Sequence, residues 1–109
     1  MAVLGLAFKR DTDDERDSLS HKLVRLLERE LADVCVHDPV VATPTASFEE
    51  AVTGADVVIV ATNHSEYSTP EALRALAELA PECLLVDPWN ALGTAQVFAY
   101  VAEVAALRA

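Results

Sequence analysis

The side chains best suited to chemistry fall in one stretch, Gly5-Leu6-Ala7-Phe8-Lys9-Arg10-Asp11-Thr12-Asp13-Asp14-Glu15-Arg16-Asp17-Ser18. It gathers one ammonium (Lys9), two guanidinium groups (Arg10 and Arg16) and an aromatic ring (Phe8). A lysine in such a place can act as a point charge on a phosphate or a sugar hydroxyl. A phenyl ring beside it can pack on a sugar or a base. A second reading stays open, in which Lys9, Arg10 and Arg16 merely neutralise Asp11, Asp13, Asp14, Glu15 and Asp17. The stretch is not a P-loop, because GxxxxGK followed by Ser or Thr is missing. It is not a dinucleotide fingerprint either, because GxGxxG needs three glycines and only Gly5 is present.

Other reactive types are scattered. Cys35 and Cys83 sit in apolar surroundings with no base placed by sequence to activate them, and they read as buried structural thiols. His21 reads as a solvated side chain, and His37 closes an apolar run. His64, beside Asn63, Ser65 and Glu66, either touches a ligand or orders its loop. No HExxH or CxxC occurs, so no metal site is expected. Glu66 and Asp87 are candidates for a carboxylate pair, although Asp87 before Pro88 also suits a turn or cap.

The elements that must position these residues alternate. Ala2–Ala7 reads as a buried strand. From Ser18, with Asp17 or Ser18 as cap, Leu19, Leu23, Leu26, Leu27 and Leu31 recur at helical spacing. Val34–His37 reads as a strand stopped by Asp38-Pro39. Ser47 with Glu50 forms a capping box for a short helix that Gly54 ends. Asp56–Ala61 is the strongest strand. Thr69-Pro70 opens a helix striped by Leu73, Leu76 and Leu79, and Cys83–Val86 is a fourth strand ended by Asp87-Pro88. In the tail, Val97, Tyr100, Val101, Val104 and Leu107 follow a helical period. Val97–Val101 would also suit a strand, and helix is the preferred reading.

Apolar strands alternating with amphipathic helices predict an α/β fold. The expected form is a single three-layer α/β/α domain over residues 1–109, with an open, mainly parallel Rossmann-like sheet covered on both faces. Ligands of such sheets bind outside the carboxyl ends of the strands. That rule selects the segments after residues 6, 37, 61 and 86.

Composition bounds the function. The 109 residues fit one domain, and 52% apolar residues with a mean hydropathy of +0.24 exclude global disorder. No apolar run is long enough to span a membrane, and no signal peptide is read at the start. Two cysteines are too few for a disulfide scaffold, which fits a reducing, cytoplasmic setting. Eight Lys and Arg face eighteen Asp and Glu, for a net charge of −10. That balance argues against nucleic acid or an anionic membrane as partner. It suits either an acidic surface adapted to high salt or the chance acidity of an Ala-rich domain.

The first stretch resembles the opening motif of the C-terminal, UDP-binding domain of the UDP-glucose/GDP-mannose dehydrogenase family. The resemblance is carried by Gly5, Ala7, Phe8, Lys9, Thr12, Asp14, Arg16 and Ser18. Weaker echoes are Val36-His37-Asp38-Pro39, Ala61-Thr62-Asn63-His64-Ser65-Glu66-Tyr67 and Val86-Asp87-Pro88-Trp89-Asn90, so the similarity spans residues 2 to about 93. The resemblance implies a substrate-binding half-site from an enzyme that oxidises the C6 hydroxyl of a nucleotide-sugar to a carboxylate with NAD. In that family a Rossmann domain binds NAD, and a central helical region supports the dimer. By resemblance, Phe8 and Lys9 contact the nucleotide-sugar, and Arg16 reaches the NAD of the neighbouring domain. Where the family commonly has an Arg, this chain has Trp89, which either stacks on a base or sugar or covers a core edge. The family's catalytic cysteine and NAD fingerprint belong to parts not present here. The expectation is therefore a fragment, inactive alone, that works with the N-terminal and central domains of a homo-oligomeric cytoplasmic enzyme in polysaccharide precursor synthesis. The alternative is a free-standing nucleotide-binding or subunit-contact domain without catalysis.

Overall fold

The alternation becomes a five-stranded sheet in the computed structural model, which describes residues 1–7, 9–16, 18–30 and 33–107, the side chains of 105–107 apart. β1 (Ala2–Leu4), β2 (Cys35–His37), β3 (Val57–Val60) and β4 (Leu84–Val86) run parallel, in the order β2-β1-β3-β4. Each strand is shorter than its apolar run, because the residues beyond it turn away to form the loops at the carboxyl edge.

Among the described residues, four α-helices and a short 3-10 helix (Ser65–Ser68) complete the domain: α1 (Leu19–Arg29), α2 (Phe48–Val52), α3 (Pro70–Leu79) and α4 (Val101–Leu107). Their starts follow the local chemistry. The Ser18 side chain accepts the Ser20 N–H, and Asp17, the other candidate cap, lies outside the described residues. Ser47 and Glu50 close the reciprocal capping box, and Gly54 turns the chain out of α2 at φ +70°. Thr69 caps α3, with Pro70 in its first turn.

The tail departs from the preferred helix. Phe98–Tyr100 forms β5, antiparallel to β4, and the helix begins only at Val101. The helical period is real from Val101 on. Upstream of it, β4 would otherwise expose an unpaired edge, and pairing Leu85 with Ala99 satisfies that backbone while burying Ala99.

The two faces of the sheet differ. Register brings Ala2, Cys35, Val58, Leu85 and Ala99 to one face, and Leu4 and Val60 join them by the two-residue period. This face forms the core with Ala51 and Val52 of α2, Leu73 and Leu76 of α3, and Val101 and Val104 of α4. Right-handed crossovers from β1 to β2 and from β2 to β3 travel in opposite directions across the sheet, so α1 lies on the other face. Alone there, it covers that face only in part. Leu19 and Leu26 are 73% and 52% exposed, Leu31 lies outside the described residues, and Phe98 and Tyr100 are 65% and 56% exposed. The expected cover on both faces is thus present but incomplete on the α1 side.

Candidate functional site at the carboxyl edge of the sheet

The loop after β1 is locked to the loops after β2 and β3. The Gly5 N–H donates to the His37 carbonyl at 2.7 Å. Gly5 has φ +105°, and a Cβ there would lie 2.4 Å from the Thr62 Cβ and 2.6 Å from the Thr62 nitrogen. Thr62 in turn donates its hydroxyl to the Ala7 carbonyl at 2.9 Å. This glycine therefore serves a close approach between two protein loops, not the approach of a pyrophosphate. Among the described residues, the β1–α1 turn does not present the glycine-rich cradle of a dinucleotide site.

The centre of this edge is Asp38, whose role the sequence reading missed, taking it as a strand stop. It is 5% exposed and accepts on both carboxylate oxygens. Oδ2 takes the Leu6 N–H at 2.6 Å, the Ala7 N–H at 3.1 Å and the His64 Nε2–H at 2.8 Å. Oδ1 takes the Val40 and Val41 N–H groups at 2.8 and 3.1 Å. Burial opposes the charged form of Asp38, but the N–H donors and the His64 bond outweigh it, and its carboxyl titrates below the ordinary range. The available signal was positional: an Asp directly after a parallel strand sits at the mouth of the sheet, facing backbone donors.

His64 is fully buried and bonded on both sides. Its Nδ1 accepts the Asp11 N–H at 2.8 Å, which assigns the ring proton to Nε2, toward Asp38. Asp11 holds φ +55°, unusual for a side-chain-bearing residue. Its carboxylate accepts the Ser65 N–H at 2.8 Å and the Ser65 hydroxyl at 2.5 Å, and these two bonds keep it below the usual carboxylate range. Arg10 donates to the same Ser65 hydroxyl at 3.2 Å and lies 3.6 Å from Asp11. Of the two readings of His64, ordering its loop is the one the geometry carries.

The three cations separate by environment. Arg10 is spent on Asp11 and Ser65. Arg16 grips Asp14 in a two-pronged pair, at 3.0 and 2.9 Å, and is 88% exposed. The Arg16 bonds push the Asp14 carboxyl down to about 2. Lys9 is exposed, and its ammonium makes no hydrogen bond or ion pair with a described residue, although its charge is felt at Asp14. Its carbonyl accepts the Thr12 hydroxyl at 3.0 Å, which shapes the turn beneath it. Neutralisation thus accounts for the two arginines and leaves Lys9. Phe8 lies outside the described residues.

Trp89 is 55% exposed, and its indole N–H donates to the Ala61 carbonyl at 3.2 Å. The bond ties the loop after β4 to the loop after β3 and consumes the only donor of the side chain. What remains for a ligand is the ring face. It borders a cleft of about 320 Å³, shared with Ala7, Ser18, Leu19, Leu23 and Ile59. A larger groove of about 880 Å³ runs along α3 beside Ala91 and Leu92 and is lined by none of the candidate binding residues Lys9, Arg16 and Trp89.

The remaining candidates are structural. Asp87 is buried and spends both oxygens on the Ala91 and Leu92 N–H groups, each at 2.9 Å, so it forms no carboxylate pair with the exposed Glu66. His37 is buried against Tyr67, whose hydroxyl donates to the His37 carbonyl at 3.0 Å, and burial lowers the imidazole below its ordinary value. His21 meets Glu15 at 3.1 Å on the surface. Cys83 is buried, and burial pushes its thiol up to about 11, the wrong direction for a nucleophile. Among the described residues, no group of three or more His, Cys, Asp or Glu is placed to hold a metal.

Comparison with known proteins adds to this geometry. The family described as UDP-glucose/GDP-mannose dehydrogenase family, UDP binding domain, matches residues 2–94. A UDP-N-acetyl-D-mannosamine dehydrogenase of Pyrococcus horikoshii is 41% identical over 69 residues, covering 63% of this chain and 16% of that protein. The solved structure of the UDP-D-ManNAc dehydrogenase from Pyrococcus horikoshii superimposes with a TM-score of 0.73 at 33% identity, over 84% of this chain and 22% of that one. The NDP-N-acetyl-D-galactosaminuronic acid dehydrogenase of Methanosarcina mazei gives a TM-score of 0.61 at 34% identity, over 70% of this chain and 18% of that one. The chain spans less than a quarter of the length of each of these proteins.

Proposed function

Since the chain belongs to the UDP-glucose/GDP-mannose dehydrogenase family, as its UDP-binding domain, we propose that it holds the nucleotide-sugar of an NAD-dependent nucleotide-sugar 6-dehydrogenase. The observation that carries this reading is Lys9: an exposed ammonium with no carboxylate partner among the described residues, on a braced turn at the carboxyl edge of a parallel sheet. A diphosphate fits such a charge. Trp89, with its N–H engaged and its ring open, offers a stacking surface for the base or the sugar rather than the charge an Arg would supply. Phe8 completes the substrate contacts in this reading.

Oxidation of the C6 hydroxyl, with NAD as hydride acceptor, belongs to other domains of a longer enzyme, and this chain alone is inactive. Arg16 reaches NAD across the domain boundary, and its exposed pair with Asp14 costs little to open. The partly bare α1 face, with Leu19, Leu26, Phe98 and Tyr100, suits packing of the N-terminal and central domains of a cytoplasmic homo-oligomer. A product of this kind would feed polysaccharide precursor synthesis.

Calorimetric titration of the chain with UDP tests the reading. Replacing one ion-pairing donor weakens such a contact by about 10–100-fold, so Lys9→Ala should lose at least tenfold in UDP affinity. Arg16→Ala should change UDP affinity by less than about twofold, because its partner lies outside this chain. Equal binding by wild type and Lys9→Ala would sink the proposal. The protein holds a single tryptophan, so quenching of its emission by UDP reports directly on Trp89.

The acidic balance supports a surface that works in concentrated salt. Eighteen acids against eight bases repel one another, and salt screens that repulsion over about 3 Å at 1 M. The thermal midpoint should climb steadily from 0.1 to 2 M KCl, by about 10 °C. A flat or falling midpoint would show the acidity to be incidental.

A further inference from the structure

We propose that His64 is the positioning residue of the nucleotide-binding turn, acting through its Nδ1 lone pair on the Asp11 N–H. The proposal rests on the nucleotide-sugar reading and names what sets the Lys9 ammonium in place. Lys9, Arg10, Asp11 and Thr12 form a turn that leaves the sheet with Asp11 at φ +55°, a conformation a free chain would seldom hold. Two braces hold it. On the buried side, Nδ1 of His64 accepts the Asp11 N–H at 2.8 Å. On the exposed side, the Asp11 carboxylate accepts the Ser65 N–H and hydroxyl, with Arg10 joined to the same hydroxyl.

His64 can point its lone pair only because Asp38 takes the proton on the other nitrogen at 2.8 Å. Asp38 is itself immobilised by N–H groups on both sides, from the loop after β1 and from the loop after β2. The relay therefore runs from a fixed carboxylate, through one imidazole, to the amide that begins the second half of the turn. Thr12 closes it on the Lys9 carbonyl at 3.0 Å. A cation on a long flexible stem gains most when its backbone is already fixed, because less motion is lost on binding.

Two isosteres separate this role from plain stabilisation. In His64→Asn the amide oxygen falls near the place of Nδ1 and keeps the acceptor for Asp11. In His64→Gln the amide nitrogen falls near the place of Nε2 and keeps the bond to Asp38, but leaves the Asp11 N–H without a partner. The experiment titrates UDP into the 109-residue chain and its variants, and reads amide exchange at Asp11 in parallel. Expected is a loss of about fivefold or more for His64→Gln and His64→Ala, with His64→Asn within about threefold of wild type. Asp11 exchange should accelerate in the first two only.

A purely structural role predicts the reverse order, because Gln keeps more volume and the buried bond. UDP binding by His64→Gln equal to or tighter than by His64→Asn would overturn the proposal, as would wild-type affinity in His64→Ala. Ser65→Ala, a change on the exposed brace, keeps the test open if the His64 variants fail to fold. It should weaken UDP by about threefold or more, and unchanged affinity would count against the brace. If Lys9→Ala binds as well as wild type while the Asp11 exchange pattern is as expected, the nucleotide reading has failed and the brace stands as architecture alone.

Discussion

Asp38→Ala should destabilise the domain by about 3–5 kcal/mol, the range for breaking a buried charged hydrogen-bond network. Five donors converge on this one carboxylate, and three of them, from Leu6, Ala7 and His64, would be left buried without a partner. For a domain of this size that loss lowers the thermal midpoint by about 15–30 °C. Asp38→Asn fares little better, because its NH₂ group faces N–H groups where an oxygen had accepted them.

The pH dependence has a definite sign. The folded Asp38 carboxyl titrates below its unfolded value of about 3.9, so its contribution is fully present above that pH and is lost as pH falls through the folded value. His37 acts in the same direction in a higher window. Its folded value lies below the unfolded value of about 6.5, so the unfolded chain takes up the proton first and stability begins to fall below pH 6.5. Chemical denaturation from pH 8 to pH 3 should show both declines. In Asp38→Asn the lower one should shrink while the upper one remains. An Asp38→Ala protein within 1 kcal/mol of wild type, or an acid limb unchanged in Asp38→Asn, would remove Asp38 from the centre of the edge.

Gly5→Ala should be comparably damaging, at about 3–5 kcal/mol, although it adds a single methyl. Part of the cost is conformational, since φ +105° is poorly accessible to a residue with a Cβ. The rest is steric, with the new carbon 2.4 Å from Thr62 Cβ and 2.6 Å from its backbone nitrogen. Thr62 cannot retreat, because its N–H and that of Ala61 both donate to the Leu4 carbonyl, and its hydroxyl donates to Ala7. Trimming Thr62 to Gly removes the side-chain clash and leaves the backbone one, so the double variant should recover less than half of the loss. Full recovery would show that the backbone contact costs nothing. Near-wild-type stability of Gly5→Ala alone would show that the loop tolerates a Cβ.

Much of the architecture was readable in the chain. Val57–Val60 is apolar on both faces, which only a covered parallel strand requires. Ser47 and Glu50 announce a helix start by chemistry that stays within four residues. Phe98–Tyr100 was harder, because a strand at the edge borrows its reason from β4 rather than from its own pattern. The Leu stripe of α1 promised a helix and delivered one, but periodicity does not say how many helices share a face. At the candidate site, the Gly5-to-Ser18 motif named the loop after β1 and its cations. It could not divide those cations into the paired arginines and a Lys9 that pairs with no described residue, because the division depends on where Asp11, Asp14 and Ser65 come to rest.

The sequence by itself determined the fold class and the family. Strand and cap signals act over a few residues, and the motif is contiguous. Only the tertiary structure decided that Asp38 and His64 brace the turn of Lys9, that the N–H of Trp89 is already engaged, and that the glycine at position 5 answers to Thr62. These partners lie 26 to 57 residues apart along the chain. Their bonds exist only because the parallel sheet brings the ends of β1, β2, β3 and β4 side by side, and no pattern within a segment can encode a contact that its neighbours must supply.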